Sequence, residues 1–175
     1  MGWHYADLKR RGQLQQLLGN SLPSELKVEF ESCPVQTSLG VLGHKWALLI
    51  IRNIALYRKQ RFNEMLKITP GLTRRVLSMR LKELKREGYI EIVERGKNYS
   101  KWDLTEKGRD VLPVLMSLVY LGSKWYPDAV FSDAKARSLQ EIFPEYYIRE
   151  TMSRVASMGF PLAASSNTSS HNNGE

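Results

Sequence analysis

The stretch Thr73–Gly88, TRRVLSMRLKELKREG, decides how the rest of the chain is read. Leu77, Leu81 and Leu84 recur at i, i+4 and i+7, which places them on one face of a helix. Thr73 supplies a polar N-cap and Gly88 a stop, with Lys85 and Arg86 in the last turn, where cations meet the negative end of the helix dipole. At about 100° per residue the opposite face carries Arg75, Met79, Lys82 and Arg86, with Ser78 beside them. One face grips a core and the other offers cations and short polar groups. A solvated surface helix has the same pattern, so its neighbours must decide between surface and reading head.

Upstream, Asn63 is placed to cap a short helix through Ile68, with Met65, Leu66 and Ile68 apolar. Thr69-Pro70-Gly71 is a strong turn signal, because proline halts the helix and glycine frees the backbone. Two short helices joined by a tight turn, the second basic on its outer face, form a helix-turn-helix. Downstream the period switches to two. Tyr89–Glu94 reads as a strand, Arg95-Gly96-Lys97-Asn98 as a turn and Tyr99–Leu104 as a second strand. A basic-tipped hairpin in that position is a wing.

Before this unit, CPVQTSLGVLG predicts a helix with Cys33 at or near the N-cap, Pro34 in the first position, and Val35, Leu39 and Leu42 as its buried stripe. Lys45 to about Leu56 is apolar on most sides and predicts a central core helix. Arg58–Phe62 has the composition of a short strand. After the wing, Thr105 caps a long helix from Glu106 to about Trp125, kinked near Pro113. Its apolar residues, among them Val111, Leu112, Leu115, Leu118, Val119, Tyr120 and Leu121, exceed what a small domain can cover, which implies a subunit interface that also takes in Trp125.

The expected fold is mainly α with a small β-hairpin: a winged helix-turn-helix domain with helical extensions at both ends. Residues 1–32 form an N-terminal extension with a helix near Ala6–Leu18, 33–125 the winged domain with its dimerisation helix, and 126–160 a C-terminal extension. Two helices are expected in the latter, Ala134–Phe143 and Glu145–Met158, split by Pro144. The Ser/Asn-rich tail 161–175 is expected to be disordered.

Charge sharpens the reading. The chain of 175 residues carries net charge +8, and His44–Arg109 alone holds 17 Lys+Arg against 7 Asp+Glu. The excess is therefore confined to the helix-turn-helix and wing, as suits a polyanionic partner. No apolar run of membrane-spanning length and no signal-peptide core occurs, so the default expectation is a cytoplasmic protein away from membranes. Cys33 is the only cysteine, which excludes an intramolecular disulfide. His4, His44 and His171 are scattered and assemble no zinc site. No nucleophile–base pair, paired carboxylates or phosphate-binding glycine loop appears, so neither an enzyme nor a cofactor is expected.

In combination, CPVQTSLGVLGHKWALLIIRNI, RFNEMLK, GLTRRVLSMRLKELKREGYI and LTEKGRDVLPVL resemble the HxlR-type transcriptional regulators, relatives of the MarR winged-helix group. The resemblance covers roughly Cys33–Trp125. It implies a homodimer bound to double-stranded operator DNA, with dimer contacts from the first and post-wing helices. It places recognition on Arg74, Arg75, Ser78, Met79, Arg80 and Lys82; by their place on the helix, Arg74 to Ser78 are expected to choose the sequence while Lys82 and Arg86 mostly hold on. The wing lacks the proline-containing insertion common in the family, so the roles of Arg95 and Lys97 stay open. Several members sense oxidants or electrophiles at the cysteine before this proline, which makes Cys33 a candidate thiol sensor; a small packed residue is the competing reading. Trp46, Trp102 and Trp125 read as core or interface, and a pocket under the dimer helices could take an aromatic effector. For Arg74 and Arg75, base reading and phosphate contact stand equal. The alternatives to a specific regulator are a winged helix used for protein–protein assembly and a non-specific DNA-coating protein.

Overall fold

The computed structural model describes residues 30–159, so the expected helix at Ala6–Leu18 and the 161–175 tail lie outside the described residues. Two compact units divide the chain, Met1–Ser38 and Leu39–Glu175. In chain order the described helices and strands are α1 (Pro34–Leu42), α2 (Ala47–Ala55), α3 (Phe62–Lys67), α4 (Arg74–Arg86), β1 (Ile90–Arg95), β2 (Ser100–Leu104), α5 (Glu106–Arg109), α6 (Leu112–Trp125), α7 (Pro127–Val130), α8 (Leu139–Ile142) and α9 (Glu145–Ser157).

The core forms around α2, whose Ile50, Ile51 and Ile54 are fully buried. Leu77, Leu81 and Leu84 of α4, Met65 of α3, Ile90 and Leu104 of the hairpin, and Leu112 and Leu115 of α6 close around them. Each such side chain contributes about 1.5–3 kcal/mol by leaving water. The core helix starts at Ala47 rather than Lys45, because Trp46 before it takes a left-handed φ of 83°. That conformation is unfavourable for an aromatic residue and persists only under strong packing. Packing is supplied by the turn ahead of α4: a Cβ built on Gly71 would lie 3.4 Å from the Trp46 ring.

Asn53 of α2, also fully buried, donates from Nδ2 to Thr69 Oγ1 at 2.8 Å, and Thr69 is 3% exposed. The Asn53 carboxamide oxygen accepts from Arg52 Nη2 at 2.8 Å, and its backbone carbonyl accepts from Lys59 at 2.9 Å. One buried side chain thus ties the core helix to the turn of the helix-turn-helix.

Several expectations are corrected. The stripe on α1 is met only in part: Leu42 packs against the core, whereas Val35 and Leu39 are 66% and 53% exposed, because apolar periodicity says that a face needs cover without saying what covers it. Arg58–Phe62 contributes only an isolated antiparallel bridge, Arg61 with Lys101, since α3 begins at Phe62 and takes the rest. Asn63 lies inside α3 and is not its cap; Glu64 instead reaches back to the Arg61 N–H at 3.0 Å. The long helix is broken at Asp110–Val111 into α5 and α6. Gly108 is required in α5, where a Cβ would collide with the Tyr89 carbonyl. Thr105 caps that turn, accepting from the Gly108 N–H at 3.1 Å while donating to the Gly88 carbonyl at 2.5 Å.

Beyond the winged unit, Pro127 opens the short α7, and the helix expected over Ala134–Phe143 shrinks to α8. The preceding loop is held otherwise: Ala134 has φ 56°, and Arg137 pairs with Asp133 at 2.9 Å. Buried Ser123 of α6 donates to the Arg137 carbonyl and accepts its N–H at 2.9 Å, which fixes this loop to α6. From α9, Arg154 reaches Glu106 at 2.8 Å and Asp110 at 3.1 Å, and this guanidinium holds the Glu106 carboxyl below the usual carboxylate range.

Removing either member of the Asn53–Thr69 pair strands its partner in the core. Urea unfolding should show Asn53→Ala and Thr69→Val each destabilised by about 1–3 kcal/mol. The double variant should lose clearly less than the sum.

Candidate nucleic-acid interface

Helix α4 is built by the signals that mark it in the sequence. Thr73 accepts from the Val76 N–H at 3.3 Å, Leu77, Leu81 and Leu84 are buried, and Gly88 ends the helix with φ 76°. Its first turn holds no acid but two arginines, Arg74 and Arg75, at the positive end of the dipole. Cations there are mildly unfavourable for the isolated helix and become favourable once an anion sits between them.

The outer face presents Arg75, Met79 and Lys82 to solvent, with Ser78 half-buried among them. Together with Arg80, Glu83 and Arg86 they line a shallow surface depression. Arg75, Lys82 and Lys85 form no ion pair among the described residues. Arg74 donates from Nη1 to Asn63 Oδ1 at 3.2 Å, which links the first turn of α4 to α3. Arg86 pairs with neighbouring Glu87 at 3.0 Å on an exposed surface, a contact too weak to occupy it.

Arg80 departs from the expectation. Its side chain is only 17% exposed and is paired with Glu83, whose other oxygen lies 3.3 Å from His44 Nε2. The result is a chain of His44, Glu83 and Arg80 along the flank of α4, rather than a cation held out to a ligand. The resemblance alone names Arg80; at about 100° per residue it falls beside the leucine stripe, and its side chain runs forward to the acid one turn on.

The hairpin is antiparallel, with Ile90 opposite Leu104, Ile92 opposite Trp102 and Arg95 opposite Ser100, and a bulge between Ile92 and Glu94. Arg95 and Lys97 are exposed at its tip. Tyr99 donates its hydroxyl to Glu94, which raises the Tyr99 pKa above the ordinary value of 10.0. Sequence reasoning passed over Arg61, whose guanidinium lies 4.4 Å from the Tyr99 ring centroid; only its place in RKQRF, just before the helix-turn-helix, pointed to it.

The residues expected at a dimer interface divide. Val111 and Leu115 are 4% and 5% exposed in the core of the chain itself, so they are not available to a second subunit. Leu118 and Trp125 are 46% and 64% exposed, and Val119 is half-buried. Cys33 is exposed at the start of α1, its carbonyl accepting from the Thr37 N–H at 3.0 Å. Trp46 and Trp102 are partly buried and pack against the core. Among the described residues no cluster of three metal-ligating side chains occurs, and no helix is long and apolar enough to cross a membrane.

Comparisons with known proteins converge on this geometry. The HxlR-like helix-turn-helix family model matches residues 41–130, from the end of α1 through α7. YdeP of Bacillus subtilis strain 168, an uncharacterised HTH-type transcriptional regulator, is 35% identical over 115 residues, covering 65% of this chain and 88% of YdeP. YybR of the same organism, likewise an HTH-type transcriptional regulator, is 33% identical over 90 residues, covering 50% of this chain and 71% of its own. The crystal structure of PA1607, described as a candidate transcription factor, aligns with TM-score 0.51 and 30% identity, covering 62% of this chain and 72% of that one. With its helix-turn-helix and hairpin in this order, the chain belongs to the HxlR-like helix-turn-helix family and is a transcriptional regulator rather than an enzyme.

Proposed function

We propose that the protein is a homodimeric, sequence-specific regulator of transcription, with α4 in the major groove of double-stranded DNA and the hairpin at the flanking groove or backbone. The observation that carries this reading is the division of α4: three leucines buried beneath it, and Arg75, Met79 and Lys82 exposed on the opposite side. An arginine in the first turn can meet guanine O6 and N7 in bidentate fashion, worth about 1–3 kcal/mol of discrimination. Lys82, two turns on, suits a phosphate. Arg75→Ala should therefore narrow the gap between a duplex enriched by the protein from a random library and a shuffled duplex. Lys82→Ala should weaken both alike and lower the salt slope by about one unit. Equal losses on both duplexes for Arg75→Ala would remove its base-reading role.

Dimerisation rests on α6. Val114, Leu118, Leu121 and Trp125 are each about half exposed or more and fall at i, i+4, i+7 and i+11, a single stripe facing away from the core. A second copy of the helix is the natural cover for such a stripe, and a two-fold dimer would address half-sites roughly 34–36 Å apart. Leu118→Asp should halve the mass measured by light scattering while leaving the far-ultraviolet circular dichroism unchanged. A dimer that persists would move the interface elsewhere.

For Cys33 we propose reversible thiol modification that releases DNA, supported by its exposure at the start of α1. Hydrogen peroxide should then lower DNA affinity of the wild type and leave Cys33→Ser unaffected; release that survives the substitution would end this assignment.

A further inference from the structure

Arg61 stands outside α4 and outside the wing turn, yet the fold brings it to the wing. Gln60 accepts from the Trp102 N–H at 2.9 Å, and Arg61 bridges Lys101. Lys101 is in turn opposite Glu94 of β1, so Glu94, Lys101 and Arg61 form one row across the hairpin. Tyr99, two residues before Lys101, shares that face, because side chains alternate along a strand. Trp102 and Leu104 are packed with the core.

The Tyr99 ring is held at both ends. Its edge packs against the backbone of Gly96 in the wing turn, and its hydroxyl is bound to Glu94. The Arg61 guanidinium lies over this ring at 4.4 Å. Arg61 forms no ion pair among the described residues, and Glu94, the nearest acid in the row, is engaged by the Tyr99 hydroxyl. A guanidinium held over a ring and paired with no carboxylate keeps N–H groups for an anion, and its fork suits a phosphate. The contact with Tyr99 removes part of the rotamer freedom that exposed Arg61 would otherwise lose on binding.

Building on the proposal that the protein binds duplex DNA, we infer that Arg61 is a separate phosphate contact at the wing, held in place by Tyr99. Its ligand is the DNA backbone beside the groove that Arg95 and Lys97 approach, and its contribution is independent of sequence. Tyr99 is a positioning residue that acts through Arg61.

The test uses the full-length protein, a duplex that the wild type enriches from a random library, and a shuffled duplex of equal composition, titrated across salt. Arg61→Gln should reduce the magnitude of the log K against log salt slope by about 0.9 on both duplexes. The ratio of the two affinities should be unchanged. Arg61→Lys should keep the slope, and Tyr99→Leu should keep it while weakening both duplexes by about 2–5-fold. Thermal melts equal to wild type verify that the substituted surface is folded. A wild-type slope in folded Arg61→Gln would overturn this contact and leave DNA binding by α4 standing. If the wild type enriches no duplex at all, both readings fall together.

Discussion

The hydrogen bond from buried Asn53 to buried Thr69 is the constraint on which the rest of the structure depends. A helix-turn-helix works only if its second helix leaves the turn at a fixed angle, and a turn of Thr-Pro-Gly has little apolar surface with which to fix itself. Here it is held from below by two residues of one neighbouring segment. Asn53 bonds its hydroxyl, and Trp46, in a left-handed conformation, packs beneath its glycine. The isoleucines between these two anchors form the floor on which Leu77, Leu81 and Leu84 rest. A satisfied polar pair in an apolar core adds direction to a contact that leucines alone would leave free to slide.

From that floor, the outer face of α4 follows by geometry. Burying one stripe of leucines orients Arg75, Met79 and Lys82 outward. The same logic spends cations against the helix dipole in the first turn, a local conflict that an approaching phosphate or base edge would relieve. Around this head the chain adds two attachments beyond the minimal unit. Arg154 binds α9 to the turn after the wing, and Ser123 binds the Arg137 loop to α6. The C-terminal segment is thus packed onto the winged unit by specific polar contacts.

Much of this was legible in the sequence wherever the signal was local. The Thr73 cap, the three-leucine stripe, the stop at Gly88 and the Thr105 cap are each decided within a turn of chain, and the structure has them in those positions. The family resemblance, carried by the motifs between Cys33 and Trp125, agrees with the matched residues 41–130. What was misread depended on distant partners. Val111 and Leu115 looked like surplus apolar surface because the sequence does not say that Val111 and one face of the first turns of α6 pack into the core. Arg80, named for recognition by the resemblance alone, is instead taken up by Glu83, which also reaches His44. The strand at Arg58–Phe62 needed a neighbour and received one bridge. Asn53, hidden in an apolar run, gave no sign that its partner lay 16 residues away.

The central claim is that the outer face of α4 is the surface that meets DNA, and the methionines offer a direct measurement of it. Met79 stands 50% exposed on that face, Met65 and Met116 are buried in the core, and Met152 and Met158 are exposed on and just after α9. In a protein carrying 13C-methyl methionine, titration with a duplex enriched from a random library should shift or broaden the Met79 resonance. Those of Met152 and Met158 should stay in place. A Met79 signal unchanged at saturating DNA would contradict the account.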